Sequence, residues 1–376
     1  MLFWTRVSGY TFFRDGDVLI AKITPCFENG KGAIATNLEN GIGFGTTELH
    51  VLRPLSTIDV QYLFYLTISH GFRNVGAAYM YGAGGQKRVP TDFIKNLKHP
   101  IPSLDEQHAI ATFLDRETTH IDTLISKKQR QIELLQEKRA ALISHVVTKG
   151  LNPNAKMKDS GIEWLGEIPE HWEVIRLKHI TSHIVDCLHA TPVYSEDGLY
   201  PAVRTADVKP GILDTTNVKR VSEEEFKLRI SRLKPIKDDI VYSREGERFG
   251  IAALVPEDQE ICLSQRMMMF RCKEGIIDSA FLMWQLNGKG VYIQAEQDVI
   301  GSTSPHVNVE TIRNFWLTLP PYQEQLKILD HINREVRSID NLISKINCSM
   351  KKLNEYRTAL ISAAVTGKID VRKEVA

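Results

Sequence analysis

Two helical stripes dominate the pattern of apolar and polar positions. From Gln107 to Lys149 there is neither Gly nor Pro, and positions 114, 118, 121, 125, 128, 132, 135, 139, 142 and 146 alternate steps of four and three. They hold Leu114, Thr118, Ile121, Ile125, Lys128, Ile132, Leu135, Arg139, Leu142 and Val146. Such spacing predicts a helix that buries one seam against another helix. The same steps recur as Ile332, Val336, Ile339, Ile343, Ile346, Met350, Leu353, Arg357, Leu360 and Ala364, a more uniformly apolar stripe. Gly150 and Gly367 stand where a left-handed residue ends a helix. At about 1.5 Å per residue each helix is about 60 Å long.

Two stripes of one kind point to a repeat. A shift of 218 residues places Ile101-Pro102-Ser103-Leu104-Asp105-Glu106-Gln107 on Leu319-Pro320-Pro321-Tyr322-Gln323-Glu324-Gln325, and Arg139-Ala140-Ala141-Leu142-Ile143-Ser144 on Arg357-Thr358-Ala359-Leu360-Ile361-Ser362. Upstream, Asp17-Val18-Leu19 matches Asp239-Ile240-Val241 at a shift of 222, a loop difference of a few residues. Both runs are short, apolar and bounded by turn residues, so the front part of each repeat is predicted to be short strands with irregular loops. Trp172 stands 67 positions before Asp239, whereas only 16 residues precede Asp17, so about 50 residues of the first front part are expected to be missing.

The expected architecture is α+β, with a pseudo-two-fold internal repeat. Two strand-rich domains, residues 1–103 and 151–310, alternate with two long helical segments, 104–150 and 311–376. The cheapest partner for one seam is its repeat copy, so the helices are expected to form an antiparallel coiled coil.

Charge and composition narrow the chemistry. Forty-seven basic against 46 acidic residues leave +1, so any contact with nucleic acid must be local. Five cysteines without C-x-x-C spacing favour free thiols in a reducing compartment. No apolar run reaches the ~18 residues of a membrane span, and a soluble cytoplasmic protein is expected.

Residues 159 to 172 read Asp-Ser-Gly-Ile-Glu-Trp-Leu-Gly-Glu-Ile-Pro-Glu-His-Trp. Together with Gly-Asp-Val-Leu (16 to 19), Leu-Pro-Pro-Tyr-Gln-Glu-Gln (319 to 325) and helices ending in Arg-x-Ala-Leu-Ile-Ser, the chain resembles the DNA specificity subunit of Type I restriction-modification systems over nearly its whole length. The resemblance implies that the front parts are target recognition domains, each reading half of a bipartite site on double-stranded DNA. It implies that the helices set the gap and dock methyltransferase subunits, and through them the restriction subunit. No catalytic residue is expected in this chain, and S-adenosylmethionine, ATP and Mg are expected only on partner subunits. A segment similar to 157–180 is expected before the first recognition domain and is not found there, which makes that domain N-terminally truncated. A second reading is therefore a helical scaffold that assembles with methyltransferase subunits without full DNA recognition.

Candidate DNA-facing residues follow from residue type and repeat position. Gly82-Ala83-Gly84-Gly85-Gln86-Lys87-Arg88 lets backbone approach closely while Gln86, Lys87 and Arg88 offer an amide and two cations. Its counterpart is Ile300 to His306, with Ser302, Thr303, Ser304 and His306. Lys22 and Arg244 occupy matching places after a strand, and Arg204, Thr205, Arg248, Gln265 and Arg266 complete the set. Competing motifs are weak. The Gly-rich run lacks the Gly-Lys-Ser/Thr ending of a phosphate loop. Pro320-Pro321-Tyr322 follows Leu319, not the Asn or Asp of an amino-methyltransferase, and reads as a strand-to-helix connector. His183, Cys187 and His189 lack a fourth metal ligand and read as ordinary polar or core residues. Arg139 and Arg357 read as snorkelling or carboxylate-paired seam residues.

Overall fold

The computed structural model describes residues 9–83, 85–246, 248–257, 259–299 and 306–371. Packing divides the chain into a first unit, residues 1–132 with 343–376, and a second unit, residues 133–342. Each long helix gives one half to each unit.

The first spacer helix runs Leu104–Lys149 and the second Tyr322–Val365. Both end before a glycine with positive φ, Gly150 at 75° and Gly367 at 68°. The second does not fill the expected 311–376 segment. Residues Trp316–Leu319 form a strand, and helix begins only after Pro320-Pro321, where fixed φ and missing N–H groups suit a helix start but not its interior. Every stripe position of both helices is buried or half-buried. In the first unit Ile110, Phe113, Leu114 and Ile121 pack with Leu360, Ile361, Ala364 and Val365, and Ile125 and Leu353 lie against them. In the second, Leu142, Ile143, Val146 and Val147 pack with Ile328, Leu329, Ile332 and Val336. The start of one helix thus meets the end of the other in both units, an antiparallel coiled coil. A two-stranded seam leaves one side open, so Leu114, Ile121, Ile132, Ile339 and Leu360 are buried while Ile125, Leu135, Leu142, Ile343, Ile346 and Leu353 are half-buried. The seam arginines pair across it: Arg139 Nη1 lies 3.2 Å from Asp340 Oδ1, and Arg357 Nε lies 3.5 Å from Asp122 Oδ1. The two pairs are related by the repeat shift.

The front parts share one sheet plan. In the first unit β1 (Val18–Ala21) lies antiparallel between β2 (Gly32–Ile34) and β3 (Leu49–Leu52), with α1 (Val60–Ile68) and α2 (His70–Ala78) following. In the second unit, β4 (Thr181–Asp186), β5 (Ile240–Ser243), β6 (Ile251–Leu254) and β7 (Met267–Cys272) form a four-stranded sheet in the order β6-β5-β7-β4, followed by α3 (Ser279–Leu286) and α4 (Lys289–Val299). The order β2-β1-β3 reproduces β6-β5-β7. The place of β4 has no counterpart strand among the described residues of the first unit. Each central strand is entered through a buried ion pair. Arg53 donates from Nε and Nη2 to Asp17 at 2.8 and 2.7 Å, and Arg271 does the same to Asp239 at 2.8 and 2.8 Å. The same carboxylates accept from backbone N–H groups three residues back, Arg14 and Ile236.

A buried glutamine joins each front part to a spacer helix. Gln107 Oε1 accepts from Asp59 N at 2.8 Å, and its Nε2 donates to the carbonyls of Thr57 at 3.2 Å and Pro102 at 2.9 Å. Gln325 repeats this with Asp278 N at 2.8 Å, Ile276 O at 3.0 Å and Pro320 O at 2.9 Å. Asp59 and Asp278 are the N-caps of α1 and α3. One buried side chain therefore satisfies three largely part-buried backbone groups. Replacing Gln325 by Ala is expected to cost about 2–4 kcal/mol, because it orphans buried donors and acceptors together. Exposed Gln323→Ala should change stability by less than about 0.5 kcal/mol. Equal denaturant midpoints for the two variants would contradict the clamp.

His50, on β3, is buried and its Nε2 lies 3.1 Å from the carbonyl of Val89. Burial drives its pKa down from 6.5 to about 4, against the opposing effect of the Val89 hydrogen bond and helped by the charge on Lys22. An unfolded chain binds this proton near 6.5 and the folded one does not. Stability is therefore full above pH 6.5 and falls as pH drops from 6.5 towards 4, by up to about 3 kcal/mol. His50→Gln should flatten that pH dependence in denaturant titrations between pH 7 and 4.5; an unchanged slope would rule the assignment out.

Candidate nucleic-acid interface

Sheet register decides which loops meet in the second unit. Ser243, the last residue of β5, faces both Ile251 at the start of β6 and Met267 at the start of β7, while Asp186 at the end of β4 faces Met268. The loops after β5, before β7 and after β4 therefore leave one end of the sheet. A parallel pairing of Tyr200–Val203 with Cys262–Leu263 brings Arg204 beside Ser264, whose N–H donates to Val203 O at 2.8 Å. An antiparallel bridge between Glu245 and His306 adds the last segment. Arg204, Thr205, Arg244, Arg248, Gln265, Arg266 and His306 thus share one end of the unit. Ser302, Thr303 and Ser304 lie outside the described residues.

The centre of this cluster is Arg244, only 2% exposed. Its Nε lies 3.2 Å from Asp186 Oδ1 and its Nη2 2.9 Å from Glu245 Oε1, while Nη1 donates to Val307 O at 3.3 Å. His189 and His306 flank it at 3.5 Å, each held by its other ring nitrogen: His189 Nε2 on Asp186 at 3.0 Å and His306 Nδ1 on Glu245 at 2.9 Å. An open recess of about 760 Å³ lies over these groups, bordered also by Arg176 and Asn308. Arg204 is spent on Asp207, to which Nε and Nη2 donate at 2.9 and 2.7 Å. Arg248 is exposed and donates to the carbonyl of Ala206 at 3.2 Å. Gln265 donates to Thr191 Oγ1 at 3.2 Å. Arg266 is 54% exposed and sits at φ 74°, a left-handed conformation that bulky residues rarely take.

The first unit repeats the layout with different chemistry. Lys22 follows β1, its backbone pairs with Glu48 and Val89, and Ile23 bridges Arg88 as Glu245 bridges His306. Lys22 Nζ donates to Thr47 O at 2.9 Å. Arg88 donates from Nε and Nη2 to both oxygens of Glu48 at 2.9–3.1 Å. Gln86 and Lys87 are exposed on a loop pinned by Thr24, whose Oγ1 donates to Gly85 O at 2.7 Å and accepts from Lys87 N at 3.0 Å. The loop closes so tightly that a Cβ on Gly82 would fall 2.5 Å from Gln86 O. Tyr81, 67% exposed, forms the opposite bridge to Arg88.

Residues 4–134 and 169–349 match the family model of the Type I restriction modification DNA specificity domain. The chain belongs to this family. It is similar to the Type I restriction enzyme EcoEI specificity subunit of Escherichia coli, 25% identical over 96% of this chain and 74% of that one. It is also similar to the MjaVIII specificity subunit of Methanocaldococcus jannaschii, 27% identical over 84% of this chain and 71% of that one. Among solved structures, the fold matches a chain from work on the assembly and conformational transition of the type I R-M system, with TM-score 0.71 and 17% identity over 97% of this chain and 85% of that one. The HsdS subunit from Thermoanaerobacter tengcongensis gives TM-score 0.51 and 18% identity over 97% and 84%.

In this member of the specificity family, the sequence-predicted cations fall into two groups. Arg244, Arg204 and Arg88 are tied to carboxylates, and Arg244 is also enclosed, so that reaching out to a base would strand Asp186 and Glu245. Arg248, Arg266, Gln86 and Lys87 keep their side chains at the surface, Arg266 with its Nε 3.7 Å from Glu245 Oε2. Asp186, His189 and Glu245 were not singled out as partners of Arg244, since nothing in their spacing announces the contact. Tyr81 was visible as an aromatic directly before the Gly-rich run. His183 and Cys187 do not converge with His189: His183 is exposed beside Ser182, and Cys187 Sγ accepts from Met267 N. Among the described residues no helix is long and apolar enough to cross a membrane. Arg244→Met is expected to destabilise by about 3–5 kcal/mol by leaving two carboxylates uncompensated. Arg266→Gly should stabilise by about 1 kcal/mol by releasing left-handed strain. Thermal melts of the two variants check both signs, and a destabilised Arg266→Gly would mean that the side chain holds the fold.

Proposed function

We propose that the chain is the DNA-reading specificity subunit of a Type I restriction-modification assembly, with one half of a bipartite duplex target read by the loops at the end of each sheet. Membership of the specificity family supports the class of activity, and one observation carries the local reading: Arg266, next to Gln265, holds a strained, exposed conformation with its Nε 3.7 Å from Glu245 of the ion-pair cluster. A bulky cation kept at positive φ, where Gly would cost less, marks a side chain retained for its reach. Arg266 and Arg248 offer donors to guanine O6 and N7, and Gln265 offers an amide for adenine. Arg244 acts as a positioning residue for these loops. In the first unit Gln86 and Lys87 take the exposed role, with Tyr81 offering a ring for stacking.

Methyl transfer and cleavage belong in this reading to partner subunits, together with S-adenosylmethionine, ATP and Mg. Methyltransferase subunits dock on the outer faces of the spacer helices, where residues 105–149 carry as many acidic as basic side chains. That balance suits protein contact better than phosphate tracking. The test is selective binding by the chain assembled with its methyltransferase subunits, measured on target and scrambled duplexes. Arg266→Ala is expected to lose about 1–3 kcal/mol of discrimination at one base position while leaving assembly intact. Assembly without selective binding would favour a scaffold, and unchanged selectivity in both Arg266→Ala and Lys87→Ala would refute the assigned readers.

A further inference from the structure

Several cations at the reading end of the second unit face a carboxylate, but two nearby ones do not. Arg176, the last residue of the strand Glu173–Arg176, stands opposite Trp316 of the strand Trp316–Leu319, and its guanidinium lies over that indole at 4.4 Å. Its Nη1 donates to Asn314 Oδ1 at 2.6 Å, and Lys178 Nζ donates to the same oxygen at 2.8 Å. Both side chains are half-buried, and among the described residues no carboxylate forms an ion pair with either.

The amide is aimed by its own helix and not by the cations. Asn314 Nδ2 donates to Glu310 O at 2.8 Å, and in the first unit Asn96 repeats this bond to Asp92 O at 2.9 Å. Asn314 Oδ1 is therefore placed by the fold. It is neutral, so it accepts two donors without cancelling either charge. Two like charges on one oxygen repel each other, and both keep donors to spare. Arg176 Nε and Nη2 and two N–H groups of Lys178 have no partner among the described residues. Arg176 and Asn314 border the open recess of about 760 Å³ that also reaches Arg244 and His306, so the pair adjoins the reading end of the unit. One wall of the recess is fixed, because Asn308 donates from N and Nδ2 to Asp298 at 2.6 and 3.1 Å. Two carboxylates border it, and both are already engaged: Asp186 by Arg244 and His189, and Glu310 by Asn314 Nδ2 at 2.5 Å.

Resting on the reading of this end as a DNA reader, we propose that Arg176 and Lys178 form a phosphate anchor, a site for a backbone phosphodiester of the duplex beside the bases met by the sheet-end loops. A phosphodiester oxygen supplies the negative charge that Asn314 lacks, and it takes charge-assisted donors from a planar fork and an ammonium together. Stacking on Trp316 fixes the plane of that fork before the ligand arrives. Such a contact carries no sequence information and instead sets the register in which Arg266, Gln265 and Arg248 meet base edges. An acidic protein surface offers the same charge, but the recess continues to the reading loops, as a duplex touched at both backbone and base edge requires.

The test measures the association constant of the full chain, assembled with its methyltransferase subunits, for target and scrambled duplexes between about 50 and 200 mM salt. Arg176→Gln combined with Lys178→Gln is expected to weaken both duplexes by the same factor, at least about threefold, and to lower the slope of log affinity against log salt by about 1. The ratio of target to scrambled binding stays that of the wild type. Lys178→Gln alone, which leaves the Trp316 stack in place, serves if the double variant does not fold. Lys234→Gln, beside Arg271 near the other end of the sheet, should leave the slope unchanged. An unchanged slope in the Arg176 and Lys178 variants, an equal change in Lys234→Gln, or a loss confined to the target duplex overturns the proposal. Weakened assembly at an unchanged slope would assign the pair to an acidic protein surface and overturns it too. Selective binding by the wild type with an unchanged variant slope defeats the anchor alone, whereas non-selective binding by the wild type defeats the reading of the loops.

Discussion

The fold depends on a side-chain amide at the mouth of each spacer helix. Gln107 and Gln325 each tie the cap residue of a sheet-following helix, the loop before it and the proline before the spacer helix into one knot of three hydrogen bonds. Apolar packing alone would let a helix slide along a sheet-bearing domain, since burial is not directional. A buried amide with both faces satisfied is directional, and any shift by one residue would orphan its partners. The two glutamines thus fix the angle and register at which each recognition unit meets its helix. Mismatched orientation would carry the reading loops elsewhere.

The long-range plan was legible because it repeats. The four-three stripes gave the helices nearly residue for residue, the ungapped shift of 218 gave their equivalence, and Asp17 and Asp239 marked the two central strands. What stayed hidden was pairing between distant residues of ordinary type. Arg53 and Arg271 carry no local sign that they close on those aspartates, and Asp186 and Glu245 do not announce that they enclose Arg244. The connector at Pro320-Pro321-Tyr322 implies a strand before it, but the four residues Trp316–Leu319 are too few to show a period that would mark its bounds. The conformation of Arg266 was hidden for a different reason, since positive φ is signalled in sequence by Gly or Asn and here an Arg takes it.

A chain near neutrality that handles a polyanion must manage charge locally. Here several of the candidate cations near the sheet ends are balanced by a carboxylate: Arg88 by Glu48, Arg204 by Asp207, Arg244 by Asp186 and Glu245, and more loosely Arg266 by Glu245. Paired in this way, they add little to non-specific attraction to phosphate and contribute mainly rigidity. Affinity for any duplex is then kept low, and discrimination falls to the few groups that remain presented at the surface, which raises the ratio of selective to non-selective binding that a sequence reader requires.

Internal repetition also turns the chain into its own control. When two copies of one plan agree, as in the paired glutamines, the entering aspartates and the seam arginines, the feature belongs to the scaffold and its chemistry is structural. When they disagree, as at Lys22 against Arg244 or Arg88 against His306, each unit holds the shared layout with its own chemistry, Arg88 through Glu48 in one and Arg244 and His306 through Glu245 in the other.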